Sequence, residues 1–253
     1  MVYDSLTDAP HNLKECIDWL IALKGDDAEN NFKAMGTAVH KFLEDKPVPS
    51  KHLPAIENFK HIFREFLRQQ ELKDLWYVED MLEMINGPMN KKPEMFAKIT
   101  GVVEESDYTN AVETRNAKPE TIAKIIGDVL QATGKFLAHI KNPDHYNSAY
   151  SSNATWDASC ENDPEACAVA FVGIALMLYA GLETLRDACV TAFFRCPPFL
   201  AYKRMQEVLN ALGYVEPECR ANMTISDVEW ALSGVDNGLL NTLYNLASFW
   251  HLY

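Results

Sequence analysis

Between Ala166 and Leu182 run seventeen residues with no charged or amide side chain, and no other stretch constrains the fold as strongly. Such a segment must be hidden from water, in a bilayer or under other helices. Seventeen residues is the lower edge of a bilayer-spanning length, and Gly173 and Gly181 lie inside the run. Past Glu183, Leu185 and Ala188 continue at helical spacing. The expectation is a buried central helix over about 165–194, opened by Asp163-Pro164-Glu165, where acids and proline suit a first turn.

Helical periodicity extends over nearly the whole chain. Thr7 or Asp8 can cap a first helix containing Pro10, with the stripe Leu13, Cys16/Ile17, Leu20, Leu23 and a stop at Gly25. Phe32, Met35, Val39 and Phe42 mark a second helix, ended by Pro47 and Pro49. From about Leu53 to Ile85 the pattern gives one long helix, or two joined near Gln69-Gln70, and Gly87-Pro88 breaks it. A short helix over Pro93–Val103 leads into the polar stretch Glu104–Lys118, read as a loop. Pro119 opens a helix through Ile140, and Tyr146–Asp163 reads as a second long loop. After Cys196-Pro197-Pro198 come a helix ending at Gly213, one capped by Thr224 or Ser226, and a last one carrying Val235, Leu239/Leu240, Leu243, Leu246 and Phe249. No useful period-2 alternation or internal repeat appears. The fold class is therefore all-α, an irregular bundle of about seven to ten helices around the apolar one. It is read as a single helical domain over 1–253, divisible into 1–141 and 142–253.

The charge of −13 is uneven: residues 142–253 carry 5 basic and 13 acidic groups. That part repels nucleic-acid phosphates and anionic lipid, so nucleic-acid binding and peripheral membrane docking are both disfavoured, and with the apolar helix expected in the core no stable membrane insertion is expected either. The start, Met1-Val2-Tyr3-Asp4-Ser5-Leu6, shows neither a basic nor an apolar signal-peptide region. On this reading the chain stays in its cell, leaves by an unusual route, or has a trimmed start.

Five of the six cysteines, Cys160, Cys167, Cys189, Cys196 and Cys219, fall within sixty residues around the apolar helix. Two cysteines seven apart on one helix lie about 10 Å apart along its axis, too far for a disulfide. A Cys160–Cys167 bond therefore needs Cys160 in the loop ahead of Pro164. By the same rule Cys196, beyond the helix end, is better placed than Cys189 to meet Cys219. Six reduced, partly buried thiols in an intracellular protein are the alternative.

Motifs for chemistry are sparse: no Cys-x-x-Cys, HExxH, phosphate loop, GxSxG or GxGxxG occurs. His139 with Asp144-His145 spans a helix end and a proline, which suits a solvated turn better than a metal site. No catalytic residue, cofactor or metal ligand is assigned. Asn153-Ala154-Thr155 and Asn222-Met223-Thr224 match the glycosylation sequon, a pattern short enough to arise by chance.

One resemblance stands out. The opening Ser5-Leu6-Thr7-Asp8-Ala9-Pro10-His11-Asn12-Leu13-Lys14-Glu15-Cys16-Ile17-Asp18-Trp19 resembles the start of the variant erythrocyte surface antigens of Babesia parasites. Tyr146-Asn147-Ser148-Ala149-Tyr150, Ala154-Thr155-Trp156, Cys167-Ala168, the run Phe171–Leu182 and Ala211-Leu212-Gly213-Tyr214 are similar to a later part of the same family's extracellular region. The resemblance covers under a quarter of the chain. It implies an antigen on or exported to the infected red cell, associated with antigenic variation and adhesion to host endothelium. Members of that family are several times longer, with a cysteine- and lysine-rich section, a coiled coil and a C-terminal anchor. This chain ends at Phe249-Trp250-His251-Leu252-Tyr253, so a short unanchored member or a fragment is expected.

The leading expectation is a non-enzymatic antigen that meets a protein partner: a host receptor, an antibody or another antigen subunit. The alternative is an intracellular helical scaffold or accessory protein in the parasite cytoplasm. Helices with one apolar face build the core, so recognition is expected on the two long loops. The loop bearing Tyr146, Tyr150 and Trp156 is the partner-binding candidate, since aromatic rings give contact area at low entropic cost. The opposing reading is that these aromatics pin the loop onto the core.

Overall fold

A carboxylate at the right place starts the central helix. In the computed structural model, which describes residues 2–44, 54–86, 118–194, 197–215, 218–219 and 223–247, Asp163 Oδ1 accepts the Ala166 amide at 3.1 Å. The described residues form ten α-helices and no strand. They are α1 (Leu13–Lys24), α2 (Ala28–Glu44), α3 (Pro54–Leu67), α4 (Trp76–Asn86), α5 (Pro119–Ile140), α6 (Trp156–Ser159), α7 (Pro164–Phe194), α8 (Pro198–Ala211), α9 (Ile225–Ala231) and α10 (Asn237–Ala247).

Helix α7 is the apolar one, and α1, α2, α3, α8, α9 and α10 all pack against it. By length and composition Pro164–Ala192 could cross a membrane, yet 83% of its most apolar window is buried inside this protein. Phe171, Ile174 and Leu178 are fully buried, as expected of a core helix. Its glycines let neighbours come close. A Cβ on Gly173 would stand 2.5 Å from the Phe59 ring of α3, and one on Gly181 would stand 2.9 Å from Leu13 Cβ of α1. The helix's one buried hydroxyl, Thr184, donates to Ala180 O and shares a hydrogen bond with Tyr77 of α4. Burial of polar groups without such partners would cost stability.

The second close contact joins α2 to α5. A Cβ on Gly36 would lie 2.5 Å from Pro119 O and 2.9 Å from Ala123 N, both backbone atoms. Toward the C-terminus, Thr224 and Asp227 form a reciprocal capping box at the start of α9. Gly213, at φ 94°, turns the chain after α8, and Gly25, at φ 50°, ends α1. Both are positions that a side chain disfavours.

The start of α1 differs from the sequence expectation. Neither Thr7 nor Asp8 caps it and Pro10 is not in it. Asn12 is the N-cap, its side chain accepting the Glu15 amide, while Glu15 accepts from the His11 amide at 2.7 Å and Asn12 Nδ2 at 2.9 Å. Residues 3–8 are drawn off instead into contacts with the distant loop at 149–159. Reciprocal capping at Asn12 and that tertiary pull outweigh the local signal of Thr7 and Pro10. The joint near Gln69-Gln70 is a run of turns between α3 and α4. The helix expected over Pro93–Val103 and the loop Glu104–Lys118, Lys118 excepted, lie outside the described residues.

Two glycine substitutions test this packing in opposite directions. Gly134 of α5 has nothing within 4 Å of an added Cβ, so Gly134→Ala is expected to raise stability by about 0.5–1 kcal/mol through helix propensity. Gly36→Ala is expected to lower it by about 1–3 kcal/mol, because backbone atoms of α5 would have to move. Urea melts of the two variants check the pair. Equal midpoints would mean that α2 and α5 are not in this contact.

Candidate functional site

Neighbouring turns of α1 present Lys14 and Asp18 on one face, spaced four residues apart. Both are buried, at 7% and 2% exposure, and each is satisfied largely by the segment that follows α5. Asp18 accepts hydrogen bonds from Tyr146 Oη, from the Ala149 amide at 2.9 Å and from Lys14 Nζ at 3.3 Å. Lys14 Nζ also donates to Asn147 O at 2.7 Å, pairs with Glu218 at 3.6 Å and lies 4.7 Å from the Tyr146 ring centre. A buried charge needs such a set of partners to be tolerated at all. Burial pushes the Asp18 carboxyl above its ordinary value of 3.8, against the lowering effect of Tyr146, Lys14 and the Ala149 amide. Burial also pushes the Tyr146 and Tyr150 hydroxyls up, so both serve as neutral donors.

Further along the loop the N-terminal segment completes the anchorage. Tyr3 forms a parallel bridge with Tyr150: its amide donates to Ala149 O at 2.8 Å and its carbonyl accepts from Ser151 at 2.9 Å. Tyr150 Oη donates to Asp8 O at 2.7 Å. Trp19 Nε1 donates to Leu6 O at 2.7 Å, and the Leu6 amide donates to Ser159 Oγ at 3.0 Å. Thr155 caps the one-turn helix α6, and Cys160 then joins Cys167 of α7 in a disulfide with the Cα atoms 5.7 Å apart. Cys160 is outside α7, as the spacing required.

The anchored loop forms one wall of a cleft of about 740 Å³, within the size range of small-ligand sites. The opposite wall is the α1–α2 corner, with Ile21, Asp26, Asp27 and Asn30; Tyr150, Ser152, Trp156 and Asp157 line the loop side. Among the described residues, three carboxylates and no cation line it. The three predicted aromatics therefore come to one place. Tyr146 is half-buried over Lys14, whereas Tyr150 and Trp156 are buried to 5% and 9% exposure and only graze the cleft. Exposed in the loop are Asn147, Ser148, Ser152, Asn153, Asp157, Ala158 and the run Glu161-Asn162-Asp163; Ser152 and Asn153 lie between the two buried aromatics and Asp157 directly follows the second.

Other sequence candidates are placed as follows. Cys196 lies outside the described residues, and Cys219 is buried with Sγ 3.3 Å from Tyr214 O. Burial holds the Cys16 thiol well above its usual range and pushes Cys189 up to about 12, so both stay protonated at neutral pH. His139 meets the Trp230 ring edge-on at 3.9 Å, and its Nδ1 hydrogen-bonds Lys135 O. No group of three or more His, Cys, Asp and Glu able to hold a metal occurs among the described residues. Lys14 and Asp18 were not singled out from sequence. Their signal was an i,i+4 charge pair interleaved with Leu13, Cys16 and Ile17 on the buried side of α1, where charges do not belong without partners. Comparison of the chain with family models, curated proteins and solved structures finds no match.

The anchorage is open to two measurements. Tyr150→Ala and Trp156→Ala each remove a buried aromatic and should cost about 3–5 kcal/mol in chemical denaturation. Asp18→Asn should cost about 1–3 kcal/mol at acid pH, through donors left unpaired. The wild-type folded state holds the Asp18 proton more tightly than the unfolded state, so its contribution is full below the unfolded carboxyl value and lost as pH rises through the raised folded one. The stability gap between Asp18→Asn and wild type should therefore narrow as pH rises across that window. A gap that widens would show that the partners, not burial, dominate.

Proposed function

We propose that the chain is a non-enzymatic, exported helical antigen or adhesion-type binding protein of the infected red cell, presenting the outer edge of the 146–163 loop for protein recognition. The observation that carries this reading is the Cys160–Cys167 disulfide, because such bonds persist in oxidising compartments and are rare in the cytosol. It closes the loop onto the core helix, with a stabilisation of about 2 kcal/mol in the chain-entropy model.

Packing of the resemblance-bearing segments supports the same reading. Lys14 N donates to Leu212 O at 3.1 Å, Tyr3 bridges Tyr150, Trp19 stacks on Phe171 with ring centres 6.2 Å apart, and Gly181 meets Leu13. Segments far apart in the chain, each similar to the same antigen family, thus meet in one unit, as expected where a whole domain is shared rather than scattered words. The acidic cleft and the exposed Ser152, Asn153 and Asp157 give that unit a surface for a protein partner. An intracellular scaffold would use the same fold with the two cysteines reduced.

Protein isolated from infected red cells, alkylated without reduction and mapped by mass spectrometry, should yield the linked Cys160–Cys167 peptide. Protease added to intact infected cells should remove the protein. Free Cys160 and Cys167, with the chain protected until the parasite is lysed, would assign it to the scaffold reading.

A further inference from the structure

Away from the cleft, large apolar side chains in water gather on the first turn of α8. Phe199 is 77% exposed, Leu200 51% and Tyr202 38%, while the opposite face, Ala201, Met205, Val208 and Leu209, is buried, with α8 packed on α7. Helical spacing puts Lys203 beside Phe199 and Arg204 beside Leu200. The charge here runs against the rest of the region. By sequence, four of the five basic groups of 142–253 fall between 186 and 204, with Asp187 inside that window and Glu183 and Glu207 just beyond it; Arg195 lies outside the described residues. Arg204, half-buried, donates to Glu71 O, a neutral acceptor, and no carboxylate pairs with it among the described residues. Lys203 meets Glu207 at 3.7 Å, both largely in water, a pairing that neutralises little. Arg186 is paired with Glu183 at 3.5 Å and contributes less. Pro197 offers no side-chain cap, so the positive end of the α8 dipole adds to the local positive potential beside Phe199 and Leu200.

We propose that this end of α8 docks reversibly on an anionic phospholipid surface, with Phe199 and Leu200 entering the interface and Lys203 and Arg204 meeting the phosphates. Exposed apolar side chains flanked by basic ones suit an anionic lipid interface, whereas a protein partner's own side chains are better received by a groove. Approached end-on, the cations sit about 6 Å behind the apolar pair by helical rise. That matches an apolar face buried about 5–10 Å at the headgroup boundary. Basic side chains also carry long alkyl stems that tolerate this depth. The net charge of −13 opposes approach to an anionic surface, but beyond about 8 Å it is screened at physiological salt. Local sign, not the chain total, then decides docking. This inference does not depend on the antigen reading.

The test is flotation of the full chain with phosphatidylcholine vesicles, with and without phosphatidylserine. Binding should require phosphatidylserine, and inorganic phosphate at matched ionic strength should not compete. Lys203→Gln should weaken binding roughly five-fold, the effect of one interfacial cation. Phe199→Ser with Leu200→Ser should weaken it by at least about ten-fold, as two apolar side chains leave the interface. Circular dichroism should show the double variant folded, since these side chains face water, and Ile21→Ser, an exposed apolar change on α1, should leave binding intact. The proposal is overturned if the wild-type chain ignores anionic vesicles, if the folded double variant binds as well as wild type, or if wild type forms a dimer that the double variant abolishes while neither floats.

Discussion

A helix that is apolar on every side leaves the rest of the chain little freedom. The backbone of α7 satisfies its own hydrogen bonds, but Phe171, Val172, Ile174, Leu176, Leu178 and Leu182 point in all directions and each is buried. At roughly 25 cal/mol per Å² of apolar surface removed from water, no arrangement that leaves one flank open can compete. The surrounding helices must therefore form a closed jacket, and each needs only a single apolar stripe to do so. This is why amphipathic helices of ordinary length flank the one helix that is not amphipathic, and why no sheet is needed. Gly173 and Gly181 tighten the jacket by bringing α3 and α1 to contact distance.

Closure by apolar contact does not by itself fix where the irregular segments lie, since hydrophobic burial has no direction. Lys14 and Asp18 supply direction. Each hydrogen bond they make reaches more than 125 residues along the chain, to Tyr146, Asn147 and Ala149, or stays within the pair. A buried ion pair of this kind adds little net stability over apolar replacements, because desolvation offsets the attraction. Its contribution here is to make misplacement costly, as a shifted loop would leave a buried carboxylate and a buried ammonium without partners. Tyr214 marks the limit of that network: its hydroxyl is buried beside it without a hydrogen-bond partner among the described residues.

Legibility in the sequence followed the range of the interaction. The apolar run, the stop at Gly25, the helix opened by Pro119, the Asp163 cap and the position of Cys160 ahead of α7 are decided within a few residues, and the sequence shows them. The start of α1 was misread because its outcome depends on residues 3–8 bonding to 149–159, a contact no local window contains. The polar staple was invisible for the same reason: Lys14 and Asp18 look like any helical i,i+4 pair until the loop that desolvates them is in place. The aromatics Tyr146, Tyr150 and Trp156 were found by composition, but composition does not say which way a ring faces. Two of them face inward.

That inward orientation changes what a recognition loop here can be. A loop whose aromatics were its contact residues would have to hold them in water and then bury them on a partner, with the ordering cost falling on binding. In this loop the ordering is already complete: Tyr146 and Tyr150 are hydrogen-bonded to the N-terminal segment and α1, and the disulfide closes the far end. What remains outward includes Ser152, Asn153 and Asp157, small polar positions whose replacement at a surface site typically moves stability by no more than about 0.5 kcal/mol. Anchor and display are thus carried by different residues of one short segment. Changes on the exposed edge therefore leave the packing that holds the loop undisturbed, which is what the proposed recognition role would require of it.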